Sequence, residues 1–95
     1  MPLEKLIQRQ QGTIIDVRSH EEFELAHCRG AISIPIDDVE FRLSEIKSMP
    51  EPLILCCASG NRSGMVERRL KALGIQCINA GSWMDIQHWQ SHSVM

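Results

Sequence analysis

Short apolar runs alternate along this chain with segments that place an apolar residue at every third or fourth position. The first pattern is typical of buried β-strands and the second of amphipathic helices. The predicted strands cover residues 13–17, 31–34, 53–57 and 75–79. Five helices are predicted. The first begins around Leu3 and is closed by Gly12, the second runs from Ser19 through Leu25, and the third starts at Asp37 or Asp38 and ends before Pro50. The fourth covers residues 62–73, and the fifth follows Ser82.

Local signals mark several of the predicted ends. Ser19 followed by Glu22 forms a capping-box pattern, Pro35 stops the second strand, and Gly74 occupies the C′ position expected after a helix. The last three helices are each predicted to have one apolar stripe. The stripe consists of Val39, Leu43 and Ile46 in the third helix, of Met65, Val66, Arg69, Leu70 and Leu73 in the fourth, and of Trp83, Ile86 and Trp89 in the fifth.

Alternating strands and helices predict an α/β fold, namely a small, doubly wound, mainly parallel sheet with helices on both faces. The uninterrupted apolar strand Leu53–Cys57 suits the centre of that sheet, where both faces are covered. Ninety-five residues suffice for one hydrophobic core, so residues 1–95 are predicted to form a single domain. Ligands of such folds bind at the carboxyl ends of strands, and Cys57 ends one of them.

Composition narrows the functional classes. Hydrophobic residues make up 43% and charged residues 23% of the chain, as in an ordinary soluble domain, and no apolar run approaches a membrane span. The start lacks a secretory profile, which favours a cytoplasmic protein. A net charge of −2 gives no reason to expect a nucleic acid or a membrane as partner.

The four cysteines lie in apolar runs, so a reducing compartment is expected rather than a disulfide framework. No C-x-x-C spacing occurs, and His88 and His92 have no Cys or Glu beside them as further ligands. The chain therefore indicates neither a metal nor another cofactor. Cys28, Cys56 and Cys77 are expected to pack in the core.

Cys57 differs because it opens a polar loop between the apolar strand and a helix. The loop consists of Cys57, Ala58, Ser59, Gly60, Asn61, Arg62 and Ser63. Gly60 permits conformations closed to other residues, Asn61 tolerates a left-handed turn, and Ser63 supplies a hydroxyl at the helix start. The first-turn N–H groups, the helix dipole and Arg62 should lower the pKa of Cys57 from about 8.5 toward roughly 3.5–7.5. A nucleophilic cysteine on an anion-binding loop is predicted.

Three blocks of the sequence form one pattern. The first block is D-V-R-S-H-E-E-F-E-L-A-H-C-R-G-A from Asp16 to Ala31, followed by I-S-I-P; the second is the loop of the form C-x-x-G-x-R-S; and the third is Ala80-Gly81-Ser82 before two tryptophans. Together they resemble the rhodanese-like domain family over nearly the whole chain. The chain departs from the family pattern at Ala26, Cys28, Arg29 and Ser82, all outside the cysteine loop.

The resemblance implies a sulfurtransferase of the single-domain thiosulfate type. In that family the loop cysteine, here Cys57, takes a sulfane sulfur from thiosulfate or a persulfide donor and holds it as a persulfide. It then passes the sulfur to cyanide or a thiol, which can belong to a protein. The resemblance further implies that Asp16, Arg18 and Glu22 form a salt-bridged structural scaffold and are not catalytic.

Two other hypotheses fit parts of the sequence. Cys56, five residues, Arg62 and Ser63 match the loop spacing of cysteine phosphatases and arsenate reductases, although Gly60 has the spacing that the sulfurtransferase loop requires. Folds of the rhodanese type also serve as non-catalytic protein-docking modules, typically without the loop cysteine, which is present here.

Overall fold

The computed structural model describes residues 2–92 and contains a parallel four-stranded sheet. In chain order the elements are α1 (Leu3–Gln8), β1 (Thr13–Asp16), α2 (His20–Leu25), β2 (Ile32–Ser33), 3₁₀ turns over Ile36–Asp38 and Glu40–Arg42, α3 (Leu43–Lys47), β3 (Leu53–Cys57), α4 (Asn61–Ala72), β4 (Cys77–Ser82) and α5 (Trp83–Gln90). The strands lie side by side in the order β2-β1-β3-β4. The predicted fold class is confirmed.

Helices cover both faces of the sheet, and the core is accordingly divided in two. One apolar cluster lies between the sheet and the helices α3 and α4, and it contains Ile46 and Leu70. The other joins it to α1 and α5, through Ile7 and Ile86. Successive residues of β3 belong alternately to the two clusters, because strand side chains point to opposite faces in turn.

The strand β3 lies at the centre of the sheet, and all five of its residues are buried. It pairs with β1 on one side and β4 on the other. The pairing with β4 shifts between Leu55 and Cys56, where Asn79 and Gly81 are successive partners and Ala80 is the extra residue. This bulge brings the end of β4 beside the end of β3.

The third predicted helix is wrong in its first half. Two 3₁₀ turns occupy residues 36–42, and neither Asp37 nor Asp38 caps an element with its side chain. The guanidinium of Arg42 donates to the carbonyl of Ser33, and Arg42 itself has non-helical φ and ψ angles. The segment is thereby held to the end of β2 and becomes α-helical only from Leu43 onward.

Both ends of the last predicted strand also differ from the structure. Ile75 donates to the carbonyl of Leu70, and Gly74 to that of Lys71, which is the Schellman pattern at the end of α4. The strand β4 therefore begins at Cys77 and continues past residue 79 to Ser82.

The helix α4 also has a narrower buried stripe than predicted. Val66 and Leu70 are buried with Ser63, whereas Met65 is exposed. Asn61 is the first helical residue and has no left-handed conformation, since Gly60 before it takes φ +100° instead.

Among residues 2–92, none of the helices combines the length and the apolar character needed to cross a bilayer.

Candidate active site

The alternation of β3 places its two cysteines on opposite faces of the sheet. Cys57 belongs to the cluster under α3 and α4, and Cys56 to the cluster under α1 and α5. Cys57 is also the last residue of the strand, so its thiol lies where the chain turns into α4. The loop can therefore close around Cys57 and not around Cys56.

Two N–H groups and one hydroxyl group of the loop surround the sulfur of Cys57. The Gly60 N–H donates to Sγ at 3.0 Å and the Ser63 N–H at 3.5 Å, while the Ser63 hydroxyl lies 3.3 Å away. Burial raises the pKa of the Cys57 thiol, but the Ser63 hydroxyl and the N–H groups of Ser63, Gly60 and Ser59 outweigh burial. The net pKa lies below the usual value for cysteine, as the sequence predicted.

The conformation of Gly60 makes this arrangement possible. Its φ of +100° turns the chain so that its N–H points back at Cys57. A side-chain carbon at this position would lie 3.2 Å from the Cα of Gly81, so the space is restricted as well. The left-handed residue expected in the loop is therefore Gly60 alone.

Asn79 supports the loop from the neighbouring strand and was not predicted from the sequence. Its Oδ1 accepts from the Ser63 hydroxyl at 2.7 Å and from the Gly81 N–H at 2.9 Å, and its Nδ2 donates to the Gly60 carbonyl at 3.0 Å. The backbone N–H of Asn79 in turn donates to Glu67 of α4 at 2.9 Å. In the sequence Asn79 is marked only as the polar last residue of the predicted strand 75–79, which also contains Gln76.

The Ser63 hydroxyl carries one hydrogen and has two acceptors within reach. It donates to Asn79 in the structure, and it must rotate to donate to a Cys57 thiolate. The thiol form can instead donate its own proton to the Ser63 oxygen. Ser63 is completely buried, so no solvent competes for this hydrogen.

Arg62 is bound to Glu22 and not to the thiol. Its Nη1 and Nη2 donate to the two carboxylate oxygens at 2.7 and 3.2 Å. Glu22 also accepts from the Ser19 N–H and hydroxyl, which completes the predicted capping box of α2. The Arg62 guanidinium, followed by the Ser19 N–H, lowers the pKa of Glu22 to about 2. Arg62 acts on Cys57 through its charge at longer range.

Asp16 and Arg18 form a separate, buried pair. Nε of Arg18 lies 3.0 Å from both oxygens of Asp16, and its Nη2 donates to Oδ2 and to the Ala26 carbonyl, each at 2.7 Å. The guanidinium also lies 4.6 Å from the ring centre of Trp83, in cation–π geometry. The expected scaffold of Asp16, Arg18 and Glu22 is thus two ion pairs, since Glu22 binds Arg62 instead.

The remaining loop and cysteine residues take no part in holding the Cys57 thiol with their side chains. Ala58, Ser59 and Asn61 are exposed at the rim. Cys28, Cys56 and Cys77 are buried and free, as predicted. Burial raises the pKa of Cys28 to about 11 and raises those of Cys56 and Cys77 as well.

No set of three or more potential metal ligands comes together among residues 2–92. The imidazole rings of His88 and His92 lie 4.4 Å apart on the exposed end of the last helix.

A family model described as the rhodanese-like domain matches residues 2–88. The chain is 38% identical over 73 residues to the putative sulfur carrier protein YrkF of Bacillus subtilis, a match that covers 77% of this chain and 39% of that protein. It is 32% identical over 74 residues to the thiosulfate sulfurtransferase PspE of Escherichia coli, covering 76% of this chain and 71% of the relative. The chain thus spans well under half of YrkF.

The fold also agrees with a solved structure. The crystal structure of a rhodanese-like domain protein from Staphylococcus aureus superposes with a TM-score of 0.69 at 33% identity. The superposition covers 79% of this chain and 72% of that one.

Proposed function

This chain belongs to the rhodanese-like domain family, and we propose that it is a sulfurtransferase in which Cys57 carries a sulfane sulfur as a persulfide. Its substrates would be thiosulfate or a persulfide as donor, and cyanide or a thiol, including a protein thiol, as acceptor. No resident cofactor enters this chemistry.

The observation that carries the proposal is the set of donors aimed at one sulfur. The N–H groups of Gly60 and Ser63 and the Ser63 hydroxyl lie within 3.0–3.5 Å of Cys57 Sγ. They favour the thiolate, which is the nucleophilic form of cysteine. They would equally stabilise negative charge on a sulfur bound to it.

In the first half of the reaction, the Cys57 thiolate attacks the outer sulfur of thiosulfate. A bond forms between Sγ and that sulfur, the sulfur–sulfur bond of thiosulfate breaks, and sulfite leaves with the electron pair. With a persulfide donor, the leaving group is the donor thiolate. Covalent storage on Cys57 thus divides one transfer into two displacements.

In the second half, an acceptor attacks the outer sulfur of the Cys57 persulfide. The bond between that sulfur and Sγ breaks, and Cys57 leaves as the thiolate that the loop stabilises. Cyanide leaves as thiocyanate, and a thiolate becomes a persulfide. The enzyme returns to its starting state without a net change of its oxidation level.

The phosphatase hypothesis receives no support from the geometry. It needs Cys56 as nucleophile at the centre of the loop, and Cys56 is fully buried in the cluster on the other side of the sheet. Burial also raises its pKa, which disfavours a thiolate. A purely non-catalytic docking role does not account for the donors around Cys57.

Steady-state transfer of sulfur to cyanide, with thiosulfate and separately with glutathione persulfide as donor, tests the proposal. We expect turnover with at least one donor and its loss to background in Cys57→Ser. Cys77→Ala is the matched control, because Cys77 is also a buried free cysteine of the same apolar cluster. It is the first residue of β4, whereas Cys57 pairs with Ser82, the last residue of that strand. Turnover that survives in a folded Cys57→Ser protein would contradict the assignment.

A further inference from the structure

Four large apolar side chains are strongly exposed among residues 2–92. They are Leu25 at 88%, Phe41 at 89%, Met84 at 57% and Met65 at 54% exposure. A single exposed apolar side chain is ordinary, but a group of them around one site indicates an interaction surface.

Each of these four side chains follows a different strand of the sheet. Leu25 ends the helix after β1, Phe41 lies in the turns after β2, Met65 is in the first turns of the helix after β3, and Met84 is in the first turn of the helix after β4. The carboxyl ends of parallel strands share one edge, and adjacent strands lie about 4.8 Å apart, so four strand ends span only about 15 Å.

The same edge carries the Cys57 loop. Met65 and Met84 are near the amino ends of α4 and α5, and helical side chains lean toward the amino end of their helix. Both therefore lean toward the edge at which Cys57 ends β3. We refer to Leu25, Phe41, Met65 and Met84 together as the apolar rim.

Carboxylates without an ion pair accompany the apolar rim. Three exposed or half-exposed arginines of this region are already occupied, since Arg62, Arg69 and Arg42 bind Glu22, Glu40 and Glu45, respectively. Four exposed carboxylates on the same segments form no ion pair within residues 2–92, namely those of Glu21, Asp37, Asp38 and Asp85. On these segments only one exposed guanidinium, that of Arg68, is likewise without an ion pair within residues 2–92. The surface around the loop is apolar and negatively charged.

From this surface we propose that the apolar rim docks a partner protein whose reactive cysteine lies among apolar and positively charged side chains. This proposal rests on the proposed sulfurtransferase function and names its partner class. A thiosulfate dianion gains nothing from an apolar rim and is repelled by its carboxylates. A second copy of this chain would bring the same negative charges into contact, which disfavours self-association over this face.

The docked cysteine thiolate would attack the outer sulfur of the Cys57 persulfide. A bond forms between the partner's sulfur and that outer sulfur, the bond to Cys57 Sγ breaks, and Cys57 leaves as a thiolate. The partner's thiol gives its proton to solvent before the attack, and its cysteine ends as a persulfide. The same steps in reverse would load Cys57 from a partner that arrives with a persulfide.

Synthetic peptides with one central cysteine provide a defined probe. The first peptide carries lysine and leucine around the cysteine, the second has glutamate in place of each lysine, and the third has serine in place of each leucine. We expect the persulfide of Cys57 to be discharged fastest by the first peptide, by about tenfold over the second, which is the lower end of electrostatic effects on association rates. This advantage should fall as the salt concentration rises.

Two variants assign the preference to the surface. Phe41→Ser combined with Met84→Gln should slow transfer to the leucine-containing peptides, and Asp37→Lys combined with Asp38→Lys should reverse the order of lysine and glutamate peptides. All four positions are exposed, so the core is unchanged. The ratio of wild-type to variant rate for one peptide cancels that peptide's own thiol reactivity.

Matched controls lie at the opposite edge of the sheet. Gln76→Ser and Glu51→Lys change exposed residues just before β4 and β3, and both should behave as wild type. Transfer to cyanide needs no docking surface, so the Phe41→Ser, Met84→Gln variant and both controls should match wild type with this acceptor. The Asp37→Lys, Asp38→Lys variant adds positive charge that also attracts the cyanide anion, so it is judged by the ratio of its rates with the lysine and glutamate peptides.

Equal rates for the three peptides, or variants without effect, would overturn the docking proposal while cyanide transfer upholds the proposed function. Failure of Cys57 to discharge to cyanide would instead overturn the proposed function itself. A dimer in sedimentation velocity that Phe41→Ser with Met84→Gln dissociates would show a second copy on the rim and would likewise overturn the docking proposal.

Discussion

Cys56 and Cys57 differ in chemistry although they are neighbours in one strand. Both are buried, at 0% and 1% exposure, so burial alone does not separate them. The difference comes from hydrogen bonds, because donors of the following loop reach the sulfur of Cys57, whereas Cys56 faces the apolar cluster on the other side of the sheet. Their pKa values are consequently shifted in opposite directions.

Ser63→Ala should raise the pKa of Cys57, because the hydroxyl is the strongest of the interactions that lower it. The lowered pKa keeps the thiolate populated as pH falls, so the variant should lose reactivity first on the acidic side. We expect the pKa of Cys57 to rise by up to about one unit in this variant. The rise is smaller than the loss of a full charged hydrogen bond would cause, because the Ser63 hydroxyl loses its hydrogen bond to Asn79 when it turns to donate to the thiolate.

The pH dependence of alkylation by iodoacetamide measures this shift. Ser59→Ala is the matched control, since Ser59 contributes its backbone N–H and its side chain is exposed. Identical profiles for Ser63→Ala and wild type would contradict the role given to the hydroxyl.

The motif found Cys57 and most of its loop, but it did not find Asn79. A local sequence pattern can specify a turn that brings an N–H group to a sulfur only six residues away, as it does for Ser63 and Cys57. Asn79 reaches Ser63 from another strand, and that contact depends on the pairing of β4 with β3 and on its bulge. Arg62 was expected to lower the pKa of Cys57 by its charge, and the sequence did not indicate its ion pair with Glu22, which lies 40 residues away.

At the level of elements, the Arg62–Glu22 ion pair connects α2 to the amino end of α4. Each side chain is about one-third exposed, so solvent screens the pair partly. Glu22 also closes the capping box of its own helix. The two elements that flank the Cys57 loop are thereby held together by one carboxylate.

Glu22→Gln should lower the free energy of unfolding in a pH-dependent manner. The pKa of Glu22 is about 2 in the folded protein and ordinarily 4.5, so its ionised form contributes stability above about pH 4.5 that is lost as pH falls toward 2. The difference in the free energy of unfolding between Glu22→Gln and wild type should therefore be present at pH 7 and should shrink as the pH falls from about 4.5 toward 2.

Urea unfolding at several pH values tests this prediction. Glu21→Gln serves as control, because Glu21 lies in the same first helical turn and forms no ion pair with any residue from 2 to 92. A stability difference for Glu22→Gln that stays constant from pH 7 to pH 2 would contradict it.

Elements with a strong periodic pattern were predicted well, and those shaped by distant contacts were not. The apolar run of β3 and the position of α4 needed no further information, although α4 buries a narrower stripe than its pattern predicted. The 3₁₀ turns after β2 depend on the bond from Arg42 to Ser33, and the extension of β4 to Ser82 depends on pairing with Cys57. Such contacts join residues that the sequence does not mark as partners.

For the molecule as a whole, all four cysteines are buried, and the fold makes one of them reactive because the N–H groups of the loop donate to the sulfur of Cys57. Cys28, Cys56 and Cys77 are buried with raised pKa values, and the pKa of Cys28 is about 11. The parallel direction of the strands follows from the alternation of strands and helices, and it brings Cys57 to the edge where ligands of such sheets bind. That much was predictable from the sequence, whereas the apolar rim became evident only when exposure was known.

Brief treatment with iodoacetamide at neutral pH should therefore modify one cysteine in the native protein and four in guanidinium chloride. Intact mass spectrometry counts the adducts. Cys57→Ala should show none when native and three when unfolded. Rapid native modification of a second cysteine would contradict the lowered pKa of Cys57 and the raised pKa values of the other three.

The central claim is that Cys57 carries the transferred sulfur, and its most direct test locates that sulfur. The protein is incubated with thiosulfate or glutathione persulfide and digested under acidic, non-reducing conditions, and the peptide that contains both Cys56 and Cys57 is fragmented in the mass spectrometer. We predict the added mass of one sulfur atom on Cys57, with its disappearance after cyanide. Sulfur on Cys56, or an unmodified loop peptide with both donors, would contradict the account.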